Sequence, residues 1–285
     1  MGDLTPIIAA ALGFAITSLC GFFVIPYLRK LHFGQTILEV GPKWHSSKQG
    51  TPTMGGIMVI VGVIISMTVA IGFSFAFGGK MSEQLSEPFV FARLICGFAL
   101  AFCMGLIGFI DDYIKVVKKR NKGLSIIQKT VLQIVLMVGY LLTLYMNDPT
   151  GSMFIPFVGM VETKIFFWVI GIGVIYCTTN AVNFTDGIDG LCGSVTFTAA
   201  LSFIAIAALR NCFGISLLAA ALAGGLVGYL VWNWHPAKVM MGDLGSMFLG
   251  GMIVAFSYAI DCPFIILLTG IIYVAEFASD VLQIG

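Results

Sequence analysis

Residues 90–120 read VFARLICGFALAFCMGLIGFIDDYIKVVKKR. Nothing from Leu94 to Ile110 is charged. Two adjacent aspartates follow, Asp111 and Asp112, and then the bases Lys115, Lys118, Lys119 and Arg120. An apolar run of about 20 residues is what a helix needs to cross a bilayer. One that closes on acids and then bases reads as such a helix meeting water. The composition repeats the message: the 285 residues are 59% hydrophobic and 10% charged, where soluble domains carry about a quarter charged residues. The expected fold is all-α, a polytopic transmembrane helical bundle.

Working outward, nine apolar spans are expected, at 5–28, 54–78, 90–110, 127–146, 165–182, 191–209, 214–234, 245–260 and 263–284. They form one integral membrane domain over 1–285, with no internal repeat and no soluble domain. Asp3 precedes the first span and Arg29 and Lys30 follow it, the reverse of a cleavable secretory signal, so the N-terminus is placed outside. Arg29, Lys30, Lys43, Lys48, Lys115, Lys118, Lys119, Arg120, Lys122, Lys129 and Lys238 then fall inside. Lys80, Arg93, Lys164 and Arg210 fall outside. That asymmetry follows the positive-inside rule.

The seven cysteines form no CxxC pair, and His32, His45 and His235 show no zinc spacing, so small buried residues are the better reading than a zinc or redox site. The unusual polar residues gather in the inside gaps. Asn180, Asn183, Asp186 and Asp189 recur every three residues. Over nine residues a regular helix turns by about half a circle, so all four converge only if the segment unwinds, which Gly187 and Gly190 permit. A capped helix end would account for one such residue more readily than for four. Asp243 stands between two glycines in MGDLGS, 241–246. Asp111 and Asp112 project about 100° apart on a helix and address different neighbours, with Lys115 one turn on. As a solvated helix end, such ion pairs would be worth only about 0.3–0.5 kcal/mol each. Lys118, Lys119 and Arg120 read mainly as topology anchors. Lys43 and Lys48 lie in a loop rich in glycine, proline, serine and threonine that is suited to phosphate. Five inner-face carboxylates without histidine or thiolate suit a hard cation, Mg²⁺ above all. The residues by themselves therefore point to a Mg²⁺-dependent phosphate or pyrophosphate site at the inner membrane surface.

GTPTMGG (50–56), DDYIK (111–115), NAVNFTDGIDGL (180–191) and MGDLGS (241–246) occur in that order. Together they resemble the polyprenyl-phosphate N-acetylhexosamine-1-phosphate transferases over nearly the whole chain. GTPTMGG leans toward the phospho-N-acetylmuramoyl-pentapeptide transferases among them. The resemblance implies ten spans and a site on the cytoplasmic face of the bacterial plasma membrane. The implied reaction transfers phospho-N-acetylmuramoyl-pentapeptide from UDP-N-acetylmuramoyl-pentapeptide to undecaprenyl phosphate, giving lipid I and UMP. Mg²⁺ is the implied cofactor. The bilayer and a second copy of the chain, in a homodimer, are the implied partners; no nucleic acid is expected. Carried over by position, Asp111, Asp112 and Asp243 are catalytic, and Asp243 with Asn183 holds the metal. Lys48, Asn180, Asn183, Asp186 and Asp189 contact substrate, Asp189 near the uracil. Met240 replaces a phenylalanine frequent in relatives as a surface for uracil, which a methionine would still cover. The family pattern continues past Gly285 into a histidine-rich HHH loop and a tenth span, so the chain reads as C-terminally incomplete. Glu276 and Asp280, in the last span, stay outside the catalytic set. A relative using UDP-N-acetylglucosamine is the nearer alternative. A transporter is the more distant one, since its acids would sit near the bilayer midplane.

Overall fold

The computed structural model describes residues 4–31, 50–81, 88–118 and 122–284, with only the backbone of 88–92 and 280–284. Its helices are α1 (Thr5–Lys30), α2 (Gly56–Phe77), α3 (Pro88–Val117), α4 (Ile126–Asn147), α5 (Phe166–Thr185), α6 (Leu191–Leu209), α7 (Phe213–Asn233), α8 (Gly242–Ala259), α9 (Ile266–Thr269) and α10 (Ile271–Ile284). A hairpin of β1 (Ser152–Ile155) and β2 (Gly159–Glu162) joins α4 to α5. Local signals fix several ends. Arg29 and Lys30 close α1, where cations favour the helix dipole. Ser125 and Gln128 form a capping box that starts α4, each satisfying an amide the helix leaves open.

Helix α8 is the inner element: all of it is buried except Asp243 and Ala259, which are partly exposed. It packs along α3 and against α5 and α2, while α7 is enclosed by α1, α6 and α2. Apolar side chains gain little by leaving lipid for protein, so such contacts depend on close approach and dispersion. The α2–α8 crossing shows this. A Cβ on Gly56 would lie 2.2 Å from Gly245 Cα, so the backbones touch only because both residues are glycine.

Among the described residues, seven helices are long and apolar enough to cross a membrane: α1, α2, Arg93–Val117 of α3, α4, α5, α6 and α7. The other two expected spans take different forms. Residues 245–260 fall in α8, which has 18 residues and opens with Asp243 in its first turn. Residues 263–284 do not form one helix: a 3₁₀ turn, Pro263–Ile265, precedes α9, and Gly270 separates α9 from α10. Proline cannot donate to a preceding turn, and the break at Gly270 leaves no gap in the apolar run that could mark it in the sequence.

The hairpin was not expected in an all-α chain. It pairs Ser152 with Glu162 and Ile155 with Gly159. The Asp148 carboxylate anchors its base, accepting from the Thr150 hydroxyl at 2.6 Å, the Thr150 amide at 3.1 Å and the Ser152 amide at 3.2 Å. Those donors, the hydroxyl first, hold the Asp148 carboxyl below its ordinary range. Two four-residue strands are too short for alternation to stand out beside the flanking spans.

Gly56→Ala should overpack the α2–α8 crossing and cost about 1–3 kcal/mol, read as a lower thermal midpoint of the detergent-purified protein. An unchanged midpoint would show that the backbones can separate at no cost.

Candidate active site

The site begins with a backbone brace. Pro52 O accepts from the Met240 amide at 2.8 Å, and the Gly55 and Gly56 amides donate to Met240 O and Met241 O at 2.9 and 3.0 Å. GTPTMGG therefore holds the segment that enters α8. At its end Gly242 takes φ +75°, a conformation that suits glycine. A Cβ there would also lie 2.7 Å from both Asp112 Oδ2 and Thr53 Oγ1.

This turn brings Asp243 to Asp111 and Asp112, and the three offer ligand atoms within 4.8 Å of one another. Asp111 and Asp112 are 4% and 3% exposed, so their charge has to be met locally. Lys115 Nζ lies 2.6 Å from Asp111 Oδ2, 3.3 Å from Asp243 Oδ2 and 3.8 Å from Asp112 Oδ1. Lys129 Nζ lies 2.8 Å from Asp243 Oδ2. The Leu124 amide donates to Asp111 Oδ1 at 2.7 Å, and the Leu244 amide to Asp112 Oδ2 at 3.1 Å. The adjacent aspartates thus do address different neighbours: Asp111 the linker between α3 and α4, Asp112 the start of α8. An all-oxygen set with two ammonium groups beside it suits a hard divalent cation and phosphate.

The polar residues of 180–189 fan out instead of meeting at one point. Asn180, still helical, donates through Nδ2 to Tyr176 O at 2.8 Å and to Gln133 Oε1 of α4 at 3.5 Å. Asn183 Nδ2 donates to Ser246 Oγ of α8 at 3.0 Å. Asp186, just past the helix, accepts from the Gly242 amide at 3.0 Å. Asp189 Oδ2 accepts from the Ala237 amide and pairs with His235 Nδ1, each at 3.1 Å. These contacts tie the end of α5 and the turn after it to α4, to the start of α8 and to the 235–237 loop.

Among the residues expected at the site, the structure clusters Asp111, Asp112 and Asp243 and places Asn180, Asn183, Asp186 and Asp189 at the end of α5 and in the turn after it. Lys48, and Lys43 beside it, lie outside the described residues. Met240 does not present a ring-covering surface: it is 1% exposed, pinned by its amide to Pro52 with its sulfur 3.9 Å from Asn233 Nδ2. The structure adds two residues to the expected set: Lys129, which in the sequence reads only as a topology charge, and His235, which shows no zinc spacing there; no local pattern foretells the contact of either with Asp243 or Asp189.

The Glycosyl transferase family 4 profile matches residues 94–261, and a signature of phospho-N-acetylmuramoyl-pentapeptide transferases matches 48–60. A phospho-N-acetylmuramoyl-pentapeptide-transferase of Heliobacterium modesticaldum is 40% identical over 284 residues, covering 98% of this chain and 81% of its own. Proteins of the same name from Listeria monocytogenes and Bacillus licheniformis are each 40% identical, over 96% of this chain and 81% of theirs.

Gly242→Ala should destabilise the turn that carries Asp243, by about 1–3 kcal/mol for a strained non-glycine residue. Differential scanning fluorimetry reads this as a lower midpoint; no change would mean that the turn adopts another conformation freely.

Proposed function

The chain belongs to the phospho-N-acetylmuramoyl-pentapeptide-transferase family, and from that premise we propose how its residues carry out the transfer. It is a transferase of peptidoglycan synthesis that makes lipid I. The acceptor in this reading is undecaprenyl phosphate and the donor UDP-N-acetylmuramoyl-pentapeptide. An acceptor phosphate oxygen bonds to the donor's β-phosphorus, the bond between that phosphorus and the bridging oxygen breaks, and UMP leaves with the electron pair. The observation that carries the reading is the meeting of Asp111, Asp112 and Asp243 with Lys115 and Lys129 at one end of the bundle.

Both substrates bring negative charge to a cluster of three acids and two ammonium groups. Asp243, with Asn183 as the expected second ligand and Asp111 and Asp112 beside it, would hold Mg²⁺, which would supply charge neutralisation at the pyrophosphate. Lys115 and Lys129 carry positive charge to the same place. A phosphate monoester is already largely ionised at neutral pH, so alignment matters more than removal of a proton. Asp111, held by the Leu124 amide, fixes Lys115. Asp112, held by the Leu244 amide, fixes the start of α8. Asn180, Asp186 and Asp189 line the donor's path, with Asp189 toward the uracil, and Lys48 completes the substrate contacts.

The reading also sets the protein in the bacterial plasma membrane with nine crossings, α8 and the broken 263–284 segment completing the seven long helices. The N-terminus lies outside, the acid cluster faces the cytoplasm, and the chain works as a homodimer. The distribution of lysine and arginine supports the orientation.

Purified protein should release UMP from the donor only when Mg²⁺ and the lipid phosphate are both present. Release with either one omitted would overturn the reaction, and preference for UDP-N-acetylglucosamine would overturn the donor. Asp243→Asn should lower turnover by about 10²–10³-fold, the range for loss of one preorganised charge-stabilising group. Asp111→Asn should cost more than Asp112→Asn, because Asp111 holds Lys115 at 2.6 Å and Asp112 lies 3.8 Å from it; equal small losses would return the pair to a structural role. An epitope inserted after Thr150 should bind antibody on intact spheroplasts, and one after Lys122 only after permeabilisation. The reverse result would invert the topology.

A further inference from the structure

The hairpin lies across the end of the bundle opposite the acid cluster. Its base is tied to the ends of α4 and α5, through Asp148 and through the Thr163 hydroxyl, which donates to Gly151 O at 2.6 Å. Midway along β1, the Phe154 amide donates to Asp261 O, just beyond α8, at 2.8 Å. The Arg210 guanidinium, at the end of α6, lies 5.7 Å from the centre of the Phe154 ring. A hairpin that touches the ends of α4, α5, α8 and α6 in turn runs along the bundle end instead of standing off it. Its base and β1 are therefore held at the level of the helix ends, and its tip extends from there.

The exposed side changes character along that path. Near the base it carries Glu162; toward the tip it carries Met160, Val158 and Phe157, exposed by 58%, 71% and 105%. Phe157 also takes φ +68°, which bulky residues rarely adopt and which sets the ring at the extreme of the turn. Beyond the exposed Glu162 and Lys164, exposed apolar side chains resume with Ile165, Phe166 and Val169, at the start of a helix apolar and long enough to face lipid.

We propose that the hairpin tip, Phe157 with Val158 and Met160, inserts into the headgroup–acyl boundary of the bilayer on the side opposite the acid cluster. Aromatic side chains concentrate at that depth. Insertion there gives the exposed tip an apolar environment and clamps the outer ends of α4, α5, α6 and α8 to one membrane surface. The partner is lipid because the hairpin is held against the outer ends of helices long and apolar enough to span a bilayer and because the side chains exposed at its tip are apolar. The proposal does not depend on the reaction.

The test is photocrosslinking of the full chain in phosphatidylethanolamine–phosphatidylglycerol vesicles, with benzoylphenylalanine placed singly at Phe157, at Val169 as the lipid-facing reference and at Glu162 as the polar control. Mass spectrometry should find phospholipid adducts at 157 as at 169, and a loss of adduct at 162. Adducts at 169 with none at 157, or adducts at 157 only to protein, would overturn the proposal. Phe157 is fully exposed, so the replacement leaves the packed interior untouched.

Discussion

Asp111 and Asp112 are buried at the end of a helix long enough to cross a bilayer, and their charge dictates what must surround them. A carboxylate removed from water is tolerated only with opposite charge and hydrogen-bond donors in contact. Lys115 comes from the same helix, one turn on. Everything else comes from elsewhere in the chain: the Leu124 and Leu244 amides for the two aspartates, and Lys129 for Asp243 in the same cluster. Meeting that charge draws the linker before α4 and the N-terminus of α8 to the end of α3. Asp186 does the same for the Gly242 turn. The polar end of the bundle is thus assembled around acids whose separation would leave buried charge unmet.

That assembly needs backbones to come unusually close inside a membrane, where burial against protein offers apolar groups little over burial against lipid. Glycine makes it possible. The contact of Gly56 with Gly245 seats α2 on α8, and the left-handed Gly242 turns the chain so that α8 begins under Asp112. Asp243 reaches the cluster from the most enclosed helix of the bundle, so it sits on a rigid support. A loop would supply the same carboxylate with far less certainty of position, and alignment of charge is what phosphoryl transfer chiefly requires.

Most of the helices were legible as apolar runs bounded by charge, because lipid allows a spanning segment few alternatives to a helix. Legibility failed where local sequence is silent. The run at 263–284 breaks at Gly270 with no charged residue to mark it, only Thr269 beside it, and the hairpin's strands are too short to announce themselves. Within the site, GTPTMGG braces residues 240 and 241, while Lys43 and Lys48, of the loop suited to phosphate, lie outside the described residues. Spacing by threes lets Asn180, Asn183, Asp186 and Asp189 converge only where the helix unwinds. The helix persists through Thr185 and only the last two leave it, so Asn183 and Asp186 both reach the start of α8 while Asn180 turns to α4 and Asp189 to the 235–237 loop.

The sequence by itself determined that this is a membrane protein, that its unusual acids fall at helix ends on one side, and that two adjacent carboxylates cannot face the same way. Those properties follow from composition, from the run length a bilayer demands and from the geometry of one helix turn. Only the tertiary structure decided that Asp111 and Asp112 serve different elements, that Lys129 completes the cluster and that Met240 is shut away. The reason is distance along the chain. Leu124 lies 13 residues from Asp111, Leu244 lies 132 from Asp112 and Asp243 lies 114 from Lys129. No local pattern encodes which distant amide or ammonium group will meet a given carboxylate; helix packing settles it.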